Sequence, residues 1–238
     1  MDGGAKLPEY QSWLAFLYKL GVPEWIPDTC LTFVFVVLCL CIFAFIAGRG
    51  LSLRTPGKLQ VFLEWVVDSL SNFVDSICPQ EKKVLFPVLS ALFLFILCSN
   101  YIGNIPGFIA PTKSPLTTRT LAVMAFIFIQ FMGFYRQGFK YLMHFVGEPL
   151  WLCPLNIPIH IMGEIAKPIS LCCRLYGNIY GEEMVVTVLI FLAIEVLKSP
   201  WLPLQLPLQF LGLLTGFIQA FVFTLLVGIY VNMAVSHE

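Results

Sequence analysis

Charged residues are scarce in this chain. Lys, Arg, Asp and Glu make up 12% of its 238 residues, whereas soluble domains carry about 25% charged residues. So few charges at this length cannot cover a surface that faces water on all sides, and a soluble globular enzyme is excluded. The 14 Lys and Arg balance the 14 Asp and Glu, so the chain has no basic field for nucleic acid.

Residues that bind metals or haem are also few. The chain has three histidines, and its eight cysteines contain no Cys-x-x-Cys pair. Five of the cysteines lie inside apolar runs, where a thiol behaves as a small hydrophobic group: Cys39, Cys41, Cys98, Cys172 and Cys173. The sequence therefore predicts no metal site and no bound cofactor.

Long apolar runs are abundant instead, and the mean hydropathy is +0.85. A helix needs about 20 apolar residues to cross the hydrocarbon core. Uncharged runs predict spans near residues 29–48, 84–98, 120–135 and 209–235. Residues 168–198 form a further helical stretch that contains charges, and residues 137–167 fit a broken or interfacial element. The predicted fold class is an all-α membrane protein with about five to six transmembrane helices.

Lys and Arg are distributed unevenly between the two sets of loops, with eight on one side and five on the other. Because cytoplasmic loops carry an excess of Lys and Arg, the bias places the N-terminus outside and the C-terminus in the cytoplasm. Residues 1–28 do not resemble a cleaved signal peptide and are expected to form an N-terminal extracytoplasmic segment. Residues 29–238 are expected to form a single polytopic membrane domain.

Arg174 lies where a charge is costly. An Arg at mid-membrane costs about 2.5–3.5 kcal/mol on insertion scales and is tolerated where it faces protein or water. Arg174 follows Pro168 by six residues and precedes Glu182 by eight, so it cannot simply reach an end of the helix. A guanidinium stays charged at physiological pH and cannot itself carry protons. It can hold a carboxylate ionised and block the passage of another cation.

Helix geometry relates the neighbouring polar residues to Arg174. Asn178 lies on the same face, Glu182 lies about 80° round the helix and roughly 12 Å along it, and Glu183 falls on nearly the opposite face. Neither glutamate can pair with Arg174 along a straight helix, which weakens the interpretation of Arg174 as half of an internal ion pair. The adjacent carboxylates fit either a wetted path for a cation or two side chains at the interface.

The last predicted span also contains polar and small residues. Gly212, Gln219 and Tyr230 share one stripe, and Gly216 lies one turn beyond Gly212. Glycines four residues apart permit close approach of another helix. Gln219 needs a partner, for which Arg174 is a candidate; the alternative is a packing face with one satisfied glutamine.

Residues 168–183, PISLCCRLYGNIYGEE, closely resemble the signature of subunit a of the F-type ATP synthase, P-I/V-S-L-x-x-R-L-F-G-N-x-x-A-G-E. Three further segments are similar to that family: PGKLQVFLEWVVDSL (56–70), which looks like its loop after the first span, SNYIGNIPGF (99–108) and IQAFVFTLLVGIY (218–230). The resemblance covers residues 29–235 and is of the bacterial type.

The resemblance implies a non-catalytic stator subunit without a cofactor, located in the bacterial plasma membrane. In this family two long, tilted helices pack against a ring of c subunits, and two offset aqueous half-channels carry ions to and from the ring carboxylates. Ion flow is thereby coupled to ATP synthesis. The implied partners are the oligomeric c-ring, the b subunit of the peripheral stalk, the remainder of the ATP synthase complex and the lipid bilayer.

The resemblance also assigns roles to individual residues. The implied ion-translocation residues are Arg174, Asn178, Glu182, Glu183, Gln219 and Tyr230. Arg174 matches the family's essential arginine, Glu183 its channel glutamate and Gln219 the glutamine that holds the arginine. Glu182 stays a second candidate for the channel carboxylate, because straight-helix geometry puts it nearer the Arg174 face. Packing against the c-ring is expected at Gly212 and Gly216.

Three departures from the family pattern affect the half-channels. Relatives often have His or Glu where this chain has Gly212, Glu where it has His160, and an Asp-Asn pair within residues 111–120, PTKSPLTTRT. The alternative function is a secondary transporter or channel that uses Arg174 to bind an anionic substrate. Transporters usually show inverted repeats and paired broken helices, which this sequence does not display.

Overall fold

The computed structural model describes residues 28–49, 57–105, 108–138, 153–192 and 205–236. Within these ranges the chain forms α-helices and short 3-10 turns and no β-strand. The helices are α1 (Asp28–Arg49), α2 (Lys58–Ile77), α3 (Lys82–Gly103), α4 (Pro115–Gln137), α5 (Cys153–Phe191) and α6 (Gln205–Ser236). The 3-10 turns are Pro79–Glu81 and Pro111–Lys113. The predicted all-α fold is confirmed.

Four of the described helices are long and apolar enough to cross a membrane: α1, α3, α4 and α6. Their positions confirm the four uncharged spans, although α3 continues past Cys98 to Gly103. α4 begins at Pro115. Proline suits the first helical turn because an N–H at that position would have no partner within the helix. The helix ends at Gly138, whose φ of 56° favours glycine. The chain is a multi-pass membrane protein.

α5 is continuous where the sequence predicted a broken element. The helix covers 39 residues and contains Pro158 and Pro168 in its interior. A proline removes one backbone hydrogen bond but keeps a helical φ, and membrane helices tolerate it where neighbouring groups satisfy the freed carbonyl. The predicted break is therefore wrong over residues 153–167. Residues 1–27, 139–152 and 193–198 lie outside the described residues, so the expectations for those segments stay predictions.

α2 forms a helix where the family resemblance indicated only a loop. Its C-terminal half packs against α3 and α6 through Phe73, Val74 and Ile77, and Val74 is fully buried. The rings of Phe73 and Phe221 lie 4.8 Å apart between centroids. α2 is amphipathic and too polar to register as a span, which is why an apolar-run criterion misses it.

α6 lies at the centre of the bundle, packed against α3, α4 and α5. The largest fully buried side chains come from these helices and α2: Val74, Leu85, Leu89, Ile96, Ile129, Met132, Leu171, Leu175, Phe223, Val227 and Val231. These side chains are removed from solvent and pack closely against one another, so the bundle has one continuous apolar core.

Charged side chains from distant parts of the chain meet at two opposite ends of the bundle. At the Lys113 end, Lys113 forms an ion pair with Glu183 of α5. At the Glu81 end, Glu81 is only 5% exposed and pairs with Arg136 of α4. A buried carboxylate requires such a partner, so this ion pair ties the start of α3 to the end of α4.

We expect Gly228→Val to destabilise the bundle by about 1–3 kcal/mol, the usual cost of overpacking a core. A Cβ atom at Gly228 lies 3.2 Å from Cδ1 and Cγ2 of Ile77 and 3.3 Å from Cδ1 of Leu89, and the larger valine forces α2 away from α6. Gly48→Val is the matched control, because a Cβ atom at Gly48 meets nothing within 4 Å. The measurement is the thermal unfolding midpoint in detergent; equal midpoints for the two variants contradict the packing.

Candidate functional site

The buried face of α5 has a carboxylate at each end of an apolar section. Leu171 and Leu175 are 1% and 0% exposed and pack against the rest of the bundle. Glu164 precedes Leu171 by seven residues and Glu182 follows Leu175 by seven, and residues seven apart share one helix face. A section of helix with buried, apolar side chains on this face therefore separates the two carboxylates.

Arg174 lies between these two carboxylates, at the edge of the buried face. Its side chain is exposed on the surface of the chain, and among the described residues it has no hydrogen bond and no ion pair. A guanidinium near the middle of a membrane helix must meet a polar or charged group. The arrangement therefore presents a permanent positive charge to whatever covers this surface of α5.

Small residues form a second, exposed stripe on α5 beside Arg174. They recur every three or four residues: Gly163, Ala166, Ser170, Cys173, Gly177 and Gly181. A Cβ atom at any of the three glycines meets nothing within 4 Å. Small residues at this spacing let another helix approach closely. The sequence analysis did not identify this stripe, although small residues three or four positions apart are visible in the sequence.

The two adjacent glutamates near the Lys113 end face different neighbours. The carboxylate of Glu182 lies against Gly212 of α6, in the space that a side chain at that position would fill. The carboxylate of Glu183 pairs with Lys113, from the loop between α3 and α4. The roughly 100° turn between consecutive helical residues directs the two side chains apart.

A buried chain of hydrogen bonds connects the Lys113 loop to α3 and α6. Oγ1 of Thr112 donates to Oδ1 of Asn100 at 3.1 Å, and Nδ2 of Asn100 donates to the carbonyl oxygen of Gly216 at 3.0 Å. Thr112 is fully buried and Asn100 is 7% exposed. Buried polar groups that satisfy one another in this way fix a single geometry.

The two glycines expected to pack against the c-ring have neighbours within this chain. Gly212 lies against Glu182, and a Cβ atom at Gly216 is 3.2 Å from Cβ of Asn100. Both glycines are buried. Their close approach is therefore to α5 and α3, and ring packing at Gly212 and Gly216 stays a prediction without support from these contacts.

A polar cluster occupies the other end of the buried face of α5. Glu164 pairs with Lys167, and Nε2 of Gln130 in α4 donates to Oε2 of Glu164 at 2.7 Å. Nζ of Lys167 lies 5.2 Å from the ring centroid of Tyr230 in α6, within range of a cation–π contact. The predicted site residue Tyr230 therefore lies at this Glu81 end, beside a carboxylate to which the sequence analysis gave no role.

The remaining predicted residues lie between the two ends. Gln219 of α6 is 5% exposed, and among the described residues its amide nitrogen has no hydrogen-bond partner. The predicted bond from Arg174 to Gln219 is not formed in this arrangement and stays a prediction. Asn178 is half-buried, one turn of α5 beyond Arg174. Leaving the buried amide nitrogen of Gln219 without a hydrogen-bond partner is costly.

Comparison with known proteins places these residues in a family. The family model described as "ATP synthase A chain" matches residues 30–232. "ATP synthase subunit a" of Syntrophobacter fumaroxidans is 43% identical over 202 residues, which cover 85% of this chain and 82% of that protein. The protein of the same name from Geobacter sulfurreducens is 41% identical over 197 residues, 83% of this chain and 82% of its own.

A third relative matches more of the chain. "ATP synthase subunit a" of Geotalea daltonii is 39% identical over 216 residues, 91% of this chain and 91% of that protein. The family model and these identities agree with the resemblance carried by residues 168–183. The chain therefore belongs to the family of ATP synthase subunit a of the F-type enzyme, the non-catalytic membrane subunit of that rotary machine.

Proposed function

We propose that this chain is the proton-translocating stator subunit, with an aqueous half-channel on each side of Arg174. The observation that carries the proposal is the placement of Arg174: exposed, without an ion-pair partner among the described residues, and between two carboxylates on the buried face of α5. Membership of the family means that it works in a complex with other ATP synthase subunits.

The two carboxylates are too far apart to exchange a proton through the chain. Glu182 is eight residues and Glu164 ten residues from Arg174, about 12 Å and 15 Å along the helix at 1.5 Å per residue. Leu171 and Leu175 are buried in the interval. An ion that reaches one carboxylate therefore needs an external carrier to arrive at the other.

The exposed stripe of small residues is where we place that carrier. Gly163, Ser170 and Gly177 leave room for the backbone of another helix to approach. A c-ring helix on this surface brings its ionisable carboxylate close to Arg174. The guanidinium then attracts the emptied carboxylate and repels a cation that would leak from one half-channel to the other.

The distribution of basic residues supports the proposed orientation. The Glu81 end collects most of the described Lys and Arg, including Arg49, Lys82, Lys83, Arg136 and Lys167. The positive-inside rule assigns that end to the cytoplasm. The Lys113 end, with Glu182 and Glu183, then opens outside, as expected for the N-terminus outside and the C-terminus in the cytoplasm of a bacterium. The b subunit is proposed as a further partner, on family grounds alone.

Arg174→Ala should abolish ATP-driven proton pumping and ATP synthesis, because no other described charge lies at this position. Arg174→Lys keeps the charge but loses the planar, wide-reaching guanidinium, and should still impair coupling severely. Arg119→Ala is the matched control, since Arg119 is also exposed but lies in the first turn of α4. Pumping is measured by quenching of a pH-sensitive dye in inverted vesicles. An active Arg174→Ala complex refutes the proposal.

Cysteine at Gly163 or Gly177 should cross-link to a cysteine in the outer helix of the c-ring, in a background without native thiols. Ile165→Cys is the matched control, because Ile165 is 49% exposed but lies about 160° round α5 from Gly163. We expect a strong cross-linked band from the two glycine positions and a weak one from Ile165, on denaturing gels. Equal bands from all three positions are incompatible with the proposed ring surface.

Glu182→Gln and Glu183→Gln should each slow proton pumping strongly, because each removes a carboxylate from the Lys113 end. Gly212→Ala should slow pumping as well, since the added methyl group displaces the Glu182 carboxylate. Gly48→Ala is the control, because a Cβ atom there meets nothing within 4 Å of this chain and α1 is not part of the proposed ring surface. The measurement is the initial rate of dye quenching in inverted vesicles, normalised to the rate of ATP hydrolysis. A wild-type rate in both glutamine variants excludes these carboxylates from the path.

A further inference from the structure

Lys113 is held in place by buried contacts, although it belongs to a loop. It ends the 3-10 turn Pro111–Lys113, in which Pro111 and Thr112 are buried. Thr112 donates a hydrogen bond to Asn100, and Asn100 donates one to the carbonyl oxygen of Gly216. The backbone of the turn is thereby anchored to α3 and α6, one residue away from Lys113.

From this anchored position the ammonium group reaches across to α5. Nζ of Lys113 contacts Oε1 of Glu183, a residue 70 positions further along the chain. The two side chains are 41% and 43% exposed, so water still reaches the ion pair. Glu182 faces Gly212 instead. Of the two carboxylates at this end, Glu183 therefore already has a cationic partner, the ammonium group of Lys113.

We propose that Lys113 admits protons to the Glu183 site and excludes metal cations from it, as a positioning residue of the half-channel at this end. The inference rests on the proposed function, in which Glu183 lies on the ion path, and it assigns the proton as the ion that this path accepts. Neither the α5 segment 168–183 nor Arg174 determines this choice. It follows from the contact of Lys113 with Glu183.

Proton transfer at this site balances without any further reactant. A hydronium ion donates a proton to a carboxylate oxygen of Glu183 and leaves a water molecule, the contact with the ammonium group opens, and a neutral carboxylic acid forms. When that proton passes to a water molecule or to Glu182, the Glu183 carboxylate re-forms its ion pair with Lys113. The lysine keeps its own three protons throughout.

A metal cation meets a different situation at the same carboxylate. To bind Oε1 of Glu183, it must lie within contact distance of the ammonium group of Lys113, and like charges at that distance repel, by the modest amount typical of charges that water reaches. Oxygen ligands, moreover, must replace several water molecules around such an ion. A proton carries the same charge but becomes part of the carboxyl group, needing one oxygen and no further ligands. The anchored ammonium group therefore discriminates by occupying the space at Oε1 of Glu183 in which a metal cation would be coordinated.

The test uses inverted vesicles that contain the whole ATP synthase, with ATP synthesis driven by an imposed proton gradient. The lumen, to which the Lys113 end opens, contains either sodium chloride or choline chloride at equal ionic strength. We expect wild-type rates to be the same in both salts. Lys113→Gln should be slower in sodium than in choline by about twofold to fivefold, the range for an ion pair that is more than a third exposed.

Two further variants make the result specific. Lys113→Arg retains the charge and should remain insensitive to sodium. Arg119→Gln removes a cation from the same end of the bundle, six residues away and without an ion pair among the described residues, and should also remain insensitive. Sodium inhibition confined to Lys113→Gln supports the inference.

Other outcomes overturn it in distinguishable ways. Equal rates of Lys113→Gln in the two salts show that the lysine only tethers the loop, whatever the absolute rate. Sodium inhibition of the wild type shows that the ammonium group does not exclude the ion. If the wild-type complex translocates no protons, the proposed function itself fails, and the inference fails with it.

Discussion

The cost of placing charge inside a bilayer controls the arrangement of this molecule. α5 carries five charged residues, Glu164, Lys167, Arg174, Glu182 and Glu183, and each must face protein, water or an opposite charge. Four of them have such a neighbour within the chain. Glu164 and Lys167 pair with each other, Glu183 pairs with Lys113, and Glu182 lies against Gly212 of α6. Arg174 alone has no such neighbour among the described residues, which leaves the isolated chain electrostatically incomplete.

The rest of the bundle serves to hold these neighbours in position. α6 lies between α3, α4 and α5, and its glycines allow the backbone contacts that side chains of ordinary size would prevent. Gly212 makes room for the Glu182 carboxylate, Gly216 for Asn100, and Gly228 for Ile77. The glycine face of α6 therefore packs against this chain's own helices, whereas Phe210, Leu214 and Ile218 of the same helix are exposed.

The sequence was sufficient for the spans, because an uncharged apolar run has few alternatives to a membrane helix. It was insufficient where structure depends on contacts between distant residues. The ion pair of Lys113 with Glu183 joins residues that are 70 positions apart, and no local sequence pattern predicts it. α2 is amphipathic and is missed by a search for apolar runs, whereas Pro154 and Pro158 indicated a broken element where α5 is continuous. The exposed small residues of α5 recur at a spacing visible in the sequence, but the sequence analysis singled out Gly212 and Gly216 instead.

The length of α5 has a mechanical consequence. Its 39 residues span about 58 Å at 1.5 Å per residue, nearly twice the roughly 30 Å hydrocarbon core. A helix of that length confined to the core lies about 60° from the membrane normal, so the roughly 27 Å between Glu164 and Glu182 becomes about 23 Å of lateral offset. In the proposed mechanism, an ion is therefore released at a different place in the membrane plane from where it was taken up, and its carrier must move sideways between the two.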